Sequence, residues 1–411
     1  MNRPSLRSFI LIAAPLALAA ALATPLVAQN IETINGVRVG VSNVSVKTEG
    51  NTEVFAAALT ASAQAQWKGT VVKEGDVTVV KNPKEPLSKT PILELKEDLS
   101  IGGPDARGED AFGQVRHFIV DDAGAIYVLD QQNAQIKVFD ASGKPLRTIG
   151  RKGQGPGELE SPMTLSFNRT AGELAVQQQT RRMTYFKMDG TFLRHQSLKD
   201  IMPLRGRVDS RGNIYVTELI IDVDDSSYAT KKLAPDASVL AVIGRTPAPA
   251  GRGSKVRAFL PISYFQVDRS DNFIYGYPET YEVQFYGPRD HKVFKKIVRE
   301  YDPVAVGAEE KAEREKDVPP GMTADFDFPK NHSAYTRFFL SDLGHLFVQT
   351  WEKADGGRFI HDIFDADGRF IGRVPLKPSG VEILKGKYYA LEEDKDGYQY
   401  VKRYAVTWLV K

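Results

Sequence analysis

The sequence predicts an all-β fold in which short antiparallel sheets repeat around a closed ring, and three observations carry that prediction. Most of the chain consists of short runs in which apolar and polar residues alternate, the pattern of half-buried strands. The runs are punctuated by Asp or Asn with Gly, which tolerate the positive φ of hairpin turns. The whole phrase occurs six times along the chain. A four-stranded meander repeated six times is a six-bladed β-propeller.

At the N-terminus, Arg3 and Arg7 precede an apolar stretch at 9–23 rich in Leu and Ala, the layout of an export signal. Cleavage is expected after Ala23 or Ala28, so 1–28 is assigned as a signal peptide. A retained membrane anchor is the competing reading, because the apolar stretch nears the ~20 residues that span a bilayer. Pro15, Pro25 and the many alanines weaken it, and no later segment is apolar enough to span. Residues 29–66 alternate weakly and then become small, which reads as a linker, a short helix or a poorly ordered segment. The propeller is assigned to 67–411.

Composition narrows the partners. Lysine plus arginine number 54 against 52 acidic residues, so no global field draws the chain to nucleic acid or an anionic membrane. There is no cysteine, which excludes disulfides, thiolate metal sites, cysteine nucleophiles and a lipidated-cysteine anchor. The ring has to close by packing and strand pairing alone.

The reference unit is 118–150, which reads F-I-V-D-D-A-G-A-I-Y-V-L-D and then I-K-V-F-D-A-S-G-K-P-L-R-T-I-G. Further units follow at 165–193, 208–244, 267–298, 340–374 and 383–406, and the last lacks its outer strand. Residues 91–103, P-I-L-E-L-K-E-D-L-S-I-G-G, resemble the outer strand of the reference unit. Pairing 92–101 with the last blade would complete it and remove the exposed edges of an open ring. One insertion, 303–330, carries a charged helix candidate at 308–316, the helix-ending Pro319-Pro320-Gly321, and Phe326 and Phe328. It reads either as a solvated loop or as a lid that folds its phenylalanines over a channel mouth.

The joint Gly153-Gln154-Gly155-Pro156-Gly157-Glu158-Leu159, followed by Ser161-Pro162, resembles the glycine-rich joint of NHL repeats. The unit as a whole resembles a bacterial family of six-bladed β-propeller proteins related to NHL proteins, over roughly 67–411. That resemblance implies a propeller in a commonly exported protein and supplies little about chemistry.

Several motifs suggest chemistry that their context does not support. The glycine run 150–157 looks like a phosphate loop, but a dinucleotide fingerprint needs a helix after it, and Glu158 to Pro162 lead into another strand. Asp365-Ala366-Asp367-Gly368 and Asp394-Lys395-Asp396-Gly397 resemble the start of a calcium loop without its remaining ligands in register, and both coincide with repeat turns. There is no G-x-S-x-G elbow, and the six histidines show no short metal spacing. No catalytic residue, metal or cofactor is therefore assigned.

Aligning the repeats places His117, Thr164, Arg205, Tyr264 and Arg337 at the starts of successive innermost strands. Arg116 and Arg207 lie beside them, although strand alternation is expected to keep all four arginines from facing the channel together. A guanidinium fork suits carboxylates and phosphates. Arg205, Arg337, His117 and Tyr264 are the candidate ligand-binding residues. The expected function is an exported, non-enzymatic binding module in the periplasm or outside the cell. Its propeller loops and channel mouth would take a protein, peptide, glycan or small anionic ligand. The rival is a metal-assisted hydrolase or lyase acting in the channel. Oligomeric state is not legible in the sequence.

Overall fold

The structure is a computed structural model. It describes strand backbones within 32–60, and residues 66–409 except 223–225, 249–255, 319–324 and 378–380. The expected signal at 1–28 lies outside the described residues. Two compact units divide the chain, 1–66 and 67–411. In the first, where a linker or short helix was expected, Glu32–Ile34, Val37–Glu49 and Thr52–Thr60 form a three-stranded antiparallel sheet.

The second unit is a six-bladed β-propeller. Blade 1 is the meander Val115–Val120, Ile126–Asp130, Gln135–Phe139 and Pro145–Ile149. Blade 2 runs Pro162–Asn168, Glu173–Gln178, Arg182–Lys187 and Phe192–Ser197. Blade 3 runs Pro203–Val208, Ile214–Ile220, Ser227–Leu233 and Val239–Pro247. Blade 4 runs Tyr264–Val267, Phe273–Gly276, Glu282–Tyr286 and Val293–Arg299. Blade 5 runs Arg337–Leu340, Leu346–Ala354, Arg358–Phe364 and Phe370–Leu376. Blade 6 takes Val381–Leu384, Lys387–Glu393 and Gln399–Trp408 from the C-terminal end. Its outer strand is Leu93–Gly102, which pairs antiparallel from Leu93 against Trp408 to Gly102 against Tyr400. The closure expected from 92–101 is thus present, one residue along.

Local chemistry explains the meanders. At the tip after the innermost strands of blades 1 to 4 an Asp or Asn caps the turn: Asp121 accepts from the amides of Ala123 (2.9 Å) and Ala125 (2.8 Å), Asp209 and Asp268 repeat the arrangement, and Asn168 accepts from Ala171 N. The calcium-like sequences are turns of the same kind. Asp365 accepts from Arg369 N at 2.8 Å, and Asp394 from Asp396 N and Tyr398 N at 3.0 and 2.9 Å. The glycine run also lies in a joint: Arg151–Lys152 pairs parallel with Glu158–Leu159, and buried Leu159 wedges between blades 1 and 2.

Each blade is sandwiched between two neighbours, so second strands such as Ile126–Asp130 are buried along their whole length, as expected when both faces are covered. Six apolar clusters among the described residues fill the six blade-to-blade interfaces. The cluster of Ile101, Val115, Phe118, Val128, Leu384 and Val401 seals blade 6 to blade 1.

A second N-terminal element was not anticipated. Thr70–Glu74 and Val77–Asn82 form a hairpin that extends blade 4, with Val77–Asn82 parallel to Val293–Arg299. The chain then crosses blade 5, where Leu87 N and Ser88 N donate to Phe370 O and Ile371 O, before joining blade 6. Residues 70–102 therefore belt blades 4, 5 and 6. The belt sits close: a Cβ on Gly372 of blade 5 would stand 2.5 Å from the Ile92 side chain.

Candidate functional site

The innermost strands surround a cavity of about 690 Å³ lined by residues of all six blades. That volume falls within the range of small-molecule pockets. His117, Arg205, Tyr264 and Arg337 all line it, and so do Thr164, Arg116 and Arg207. The expectation that alternation would separate the four arginines is corrected here, for two reasons. An innermost strand offers its edge to the axis, so residues of both parities border the channel. In addition, blades 1, 2 and 3 carry the same irregularity at the strand start, with register shifts at Val115/His117, Pro162/Thr164 and Pro203/Arg205. The residues left unpaired there, Arg116, Met163 and Leu204, are all in the cavity wall, as befits bulges that re-aim a side chain.

Arg205 lies over the Tyr264 ring, 4.2 Å from its centroid, and Gln266 Nε2 donates to Tyr264 Oη at 3.1 Å. Arg207 donates to Leu165 O at 3.1 Å and contacts His117 Nε2 at 2.8 Å, while Leu165 N points at His117 Nδ1 at 3.3 Å. Donors approach both ring nitrogens: a protonated imidazole could accept from neither, and a neutral one accepts from one of the two at its single lone pair, so the surroundings favour the neutral ring. Thr164 donates to Gly206 O at 2.7 Å and so ties blade 2 to blade 3. The side chains of Arg116, Arg205 and Arg337 make no hydrogen bond or ion pair among the described residues. Arg205 and Arg207 are half-buried because they face the cavity, yet protein surrounds them.

The titrating groups register one positive field. Burial, then repulsion from Arg207, Arg205 and Arg116, drives the His117 imidazole well below its usual range. Burial lowers Arg205, with further repulsion from Arg337 and Arg116. Burial brings Arg207 down to about 10. Burial would raise the Tyr264 phenol, but Arg205, Arg337 and Arg207 outweigh it and the group is lowered.

The other mouth differs. Arg269 bridges Asp122 and Glu382, the latter at 3.2 Å, and Glu382 also accepts from Val120 N at 3.1 Å. Asp271 accepts from Ser210 N at 2.9 Å and from its hydroxyl, and Asp268 caps its own turn. Acids in this half are satisfied where they stand. Arg169, Ser210, Arg269 and Asp342 in the wall had not been singled out. The repeat carried a signal for them, since each follows the residue that opens the turn after an innermost strand. Gln349 and His361, from deeper strands of blade 5, had no such signal.

Phe326 and Phe328 are not part of the cavity wall. The insertion folds as helix Ala308–Lys316, and Phe326–Asp327 pairs with Val256–Arg257. Phe326 and Phe328 pack against each other with tilted rings, and Phe328 against Phe259, at centroid distances of 5.6 and 6.0 Å. Glu310 pins the helix to His332 at 3.0 Å and Lys353 at 3.1 Å.

With this geometry in hand, comparison with known proteins supports the fold. A family model, DUF5128, described as a 6-bladed beta-propeller, matches residues 111–229. The fold class is shared. A solved structure of a candidate exported protein from Bacteroides fragilis is similar, with a TM-score of 0.52 and 12% identity, covering 81% of this chain and 100% of that one. A member of the duf4221 family from Bacteroides vulgatus is similar with a TM-score of 0.52 and 10% identity, covering 77% of this chain and 99% of that one. No curated protein matches the chain. No described helix is long and apolar enough to cross a membrane.

Proposed function

We propose that the chain is an exported, non-enzymatic binding module whose propeller channel holds an anionic ligand at Arg205, Arg337, Arg116 and Arg207, with Tyr264 and His117 in the wall. One observation carries the reading. Four arginines of that cavity, Arg116, Arg205 and Arg337 and, at the other mouth, Arg169, have side chains with no hydrogen-bond or ion-pair partner among the described residues. Guanidiniums gathered in a partly desolvated space repel one another, and an incoming carboxylate or phosphate relieves that repulsion while accepting charge-assisted hydrogen bonds. Export rests on the N-terminal segment 1–28 and on similarity to a candidate exported protein. The expected relation to NHL repeats rests on the joint at 153–159 alone.

The rival, a metal-assisted hydrolase or lyase, needs converging His, Asp or Glu ligands. Among the described residues no three of these gather, and the cavity histidines His117 and His361 stand beside arginines that repel a cation. The test is calorimetric titration of wild type and of the double variant Arg205→Gln, Arg337→Gln with carboxylates and inorganic phosphate. Wild type should bind at least one anion more weakly as salt rises, and the variant should lose at least tenfold in affinity while melting no lower. Equal binding by both proteins would end the anion reading.

A further inference from the structure

The mouth beside the arginines is apolar. Leu204 and Ile262 are 44% and 52% exposed and line the cavity, and Met202 near them is 39% exposed. Leu204 precedes Arg205 on blade 3, and Ile262 stands two residues before Tyr264 on blade 4, so this rim borders the Arg205–Tyr264 stack. A site shaped for a fully hydrated polyanion gains nothing from large exposed aliphatic side chains at its entrance. At the opposite mouth Asp268, Asp271, Asp342 and Glu382 contribute acids. Arg169 and Arg269 stand among those acids, so the far mouth mixes both signs, whereas the arginines behind the apolar entrance have no carboxylate beside them.

We infer, building on the anion-binding reading above, that the ligand is a small amphiphilic acid that enters head first. Its carboxylate sits against Arg205, Arg337 and Arg116, and its apolar body lies on Leu204 and Ile262. Tyr264 contributes its hydroxyl proton, for which the described residues offer no acceptor. A cavity of about 690 Å³ suits a molecule of this size and not a folded partner.

The experiment titrates the full chain with acetate, butanoate, hexanoate and octanoate, and with octanol and inorganic phosphate as controls. Affinity should rise up to about 4-fold per added methylene until the rim is covered, the amount expected for a buried CH2. Octanol, which keeps the tail without the charge, should bind at least tenfold more weakly than octanoate. Leu204→Ser with Ile262→Ser should flatten the chain-length series and leave acetate affinity unchanged. The Arg205→Gln, Arg337→Gln variant should weaken every acid. Chain-length-independent affinity, or phosphate binding tighter than octanoate in both wild type and the rim variant, would overturn the amphiphile assignment while the anion site stands. Failure of every anion to bind would overturn both.

Discussion

His361 shows how a buried residue makes the whole protein sensitive to acid. It is 1% exposed, its Nδ1 donates to Phe359 O at 2.9 Å, and burial brings its pKa down to about 4. Between the unfolded value near ~6.5 and the folded value, the unfolded chain holds the extra proton. Stability from this group is therefore full above about pH 6.5 and declines as pH falls, by up to roughly 1.4 kcal/mol per pH unit. His117 acts in the same direction, since its pKa is also lowered. Urea unfolding of His361→Gln across about pH 6.5 to about pH 4.5 should give a shallower acid slope than wild type. Parallel slopes would show that His361 is not the group responsible. The cavity arginines obey different logic: their cost is mutual repulsion, which a ligand removes and a proton does not.

Among the elements, the N-terminal hairpin depends most on one side chain. Asn82 is 3% exposed; its Nδ2 donates to Val298 O at 3.2 Å and Gly368 O at 2.9 Å. Its Oδ1 accepts from Trp67 Nε1 at 3.0 Å and Phe370 N at 2.7 Å. One amide thus ties the belt to blades 4 and 5. Asn82→Ala strands several of these groups in a buried place, and each costs about 1–3 kcal/mol when left unmade. Chemical denaturation should show a loss of at least about 2 kcal/mol, and a loss within error would mean that water replaces the amide. The sequence announced Leu93–Gly102 because that segment resembles an outer strand, whereas nothing in 70–82 repeats a blade phrase. That hairpin pairs on an outer edge, outside the six-unit pattern, so no periodicity could have marked it.

At the scale of the molecule, the number of blades, their boundaries and the closure were legible because each blade must bury the same faces against the same neighbours. The repeat also located His117, Arg205, Tyr264 and Arg337 in the channel wall. It did not show the bulge that turns Arg116 inward, because a bulge is a backbone event with no composition of its own. Nor did it show that the arginines lack partners, which depends on side chains from different blades. The belt also has a kinetic consequence. Its contacts join segments far apart in the chain, as in the Lys402–Glu97 pair separated by 305 residues, and closing so long a loop is slow relative to forming a meander. The propeller strands made first during synthesis are thus expected to find their places last, and until then a nearly complete ring is an open horseshoe with two bare edges. A circular permutant that joins the old termini and begins at Gln114 would put the belt after blade 6 in the chain. Stopped-flow refolding of that permutant should lose or accelerate the slowest phase seen for the natural order, and an unchanged slow phase would place the rate-limiting step elsewhere.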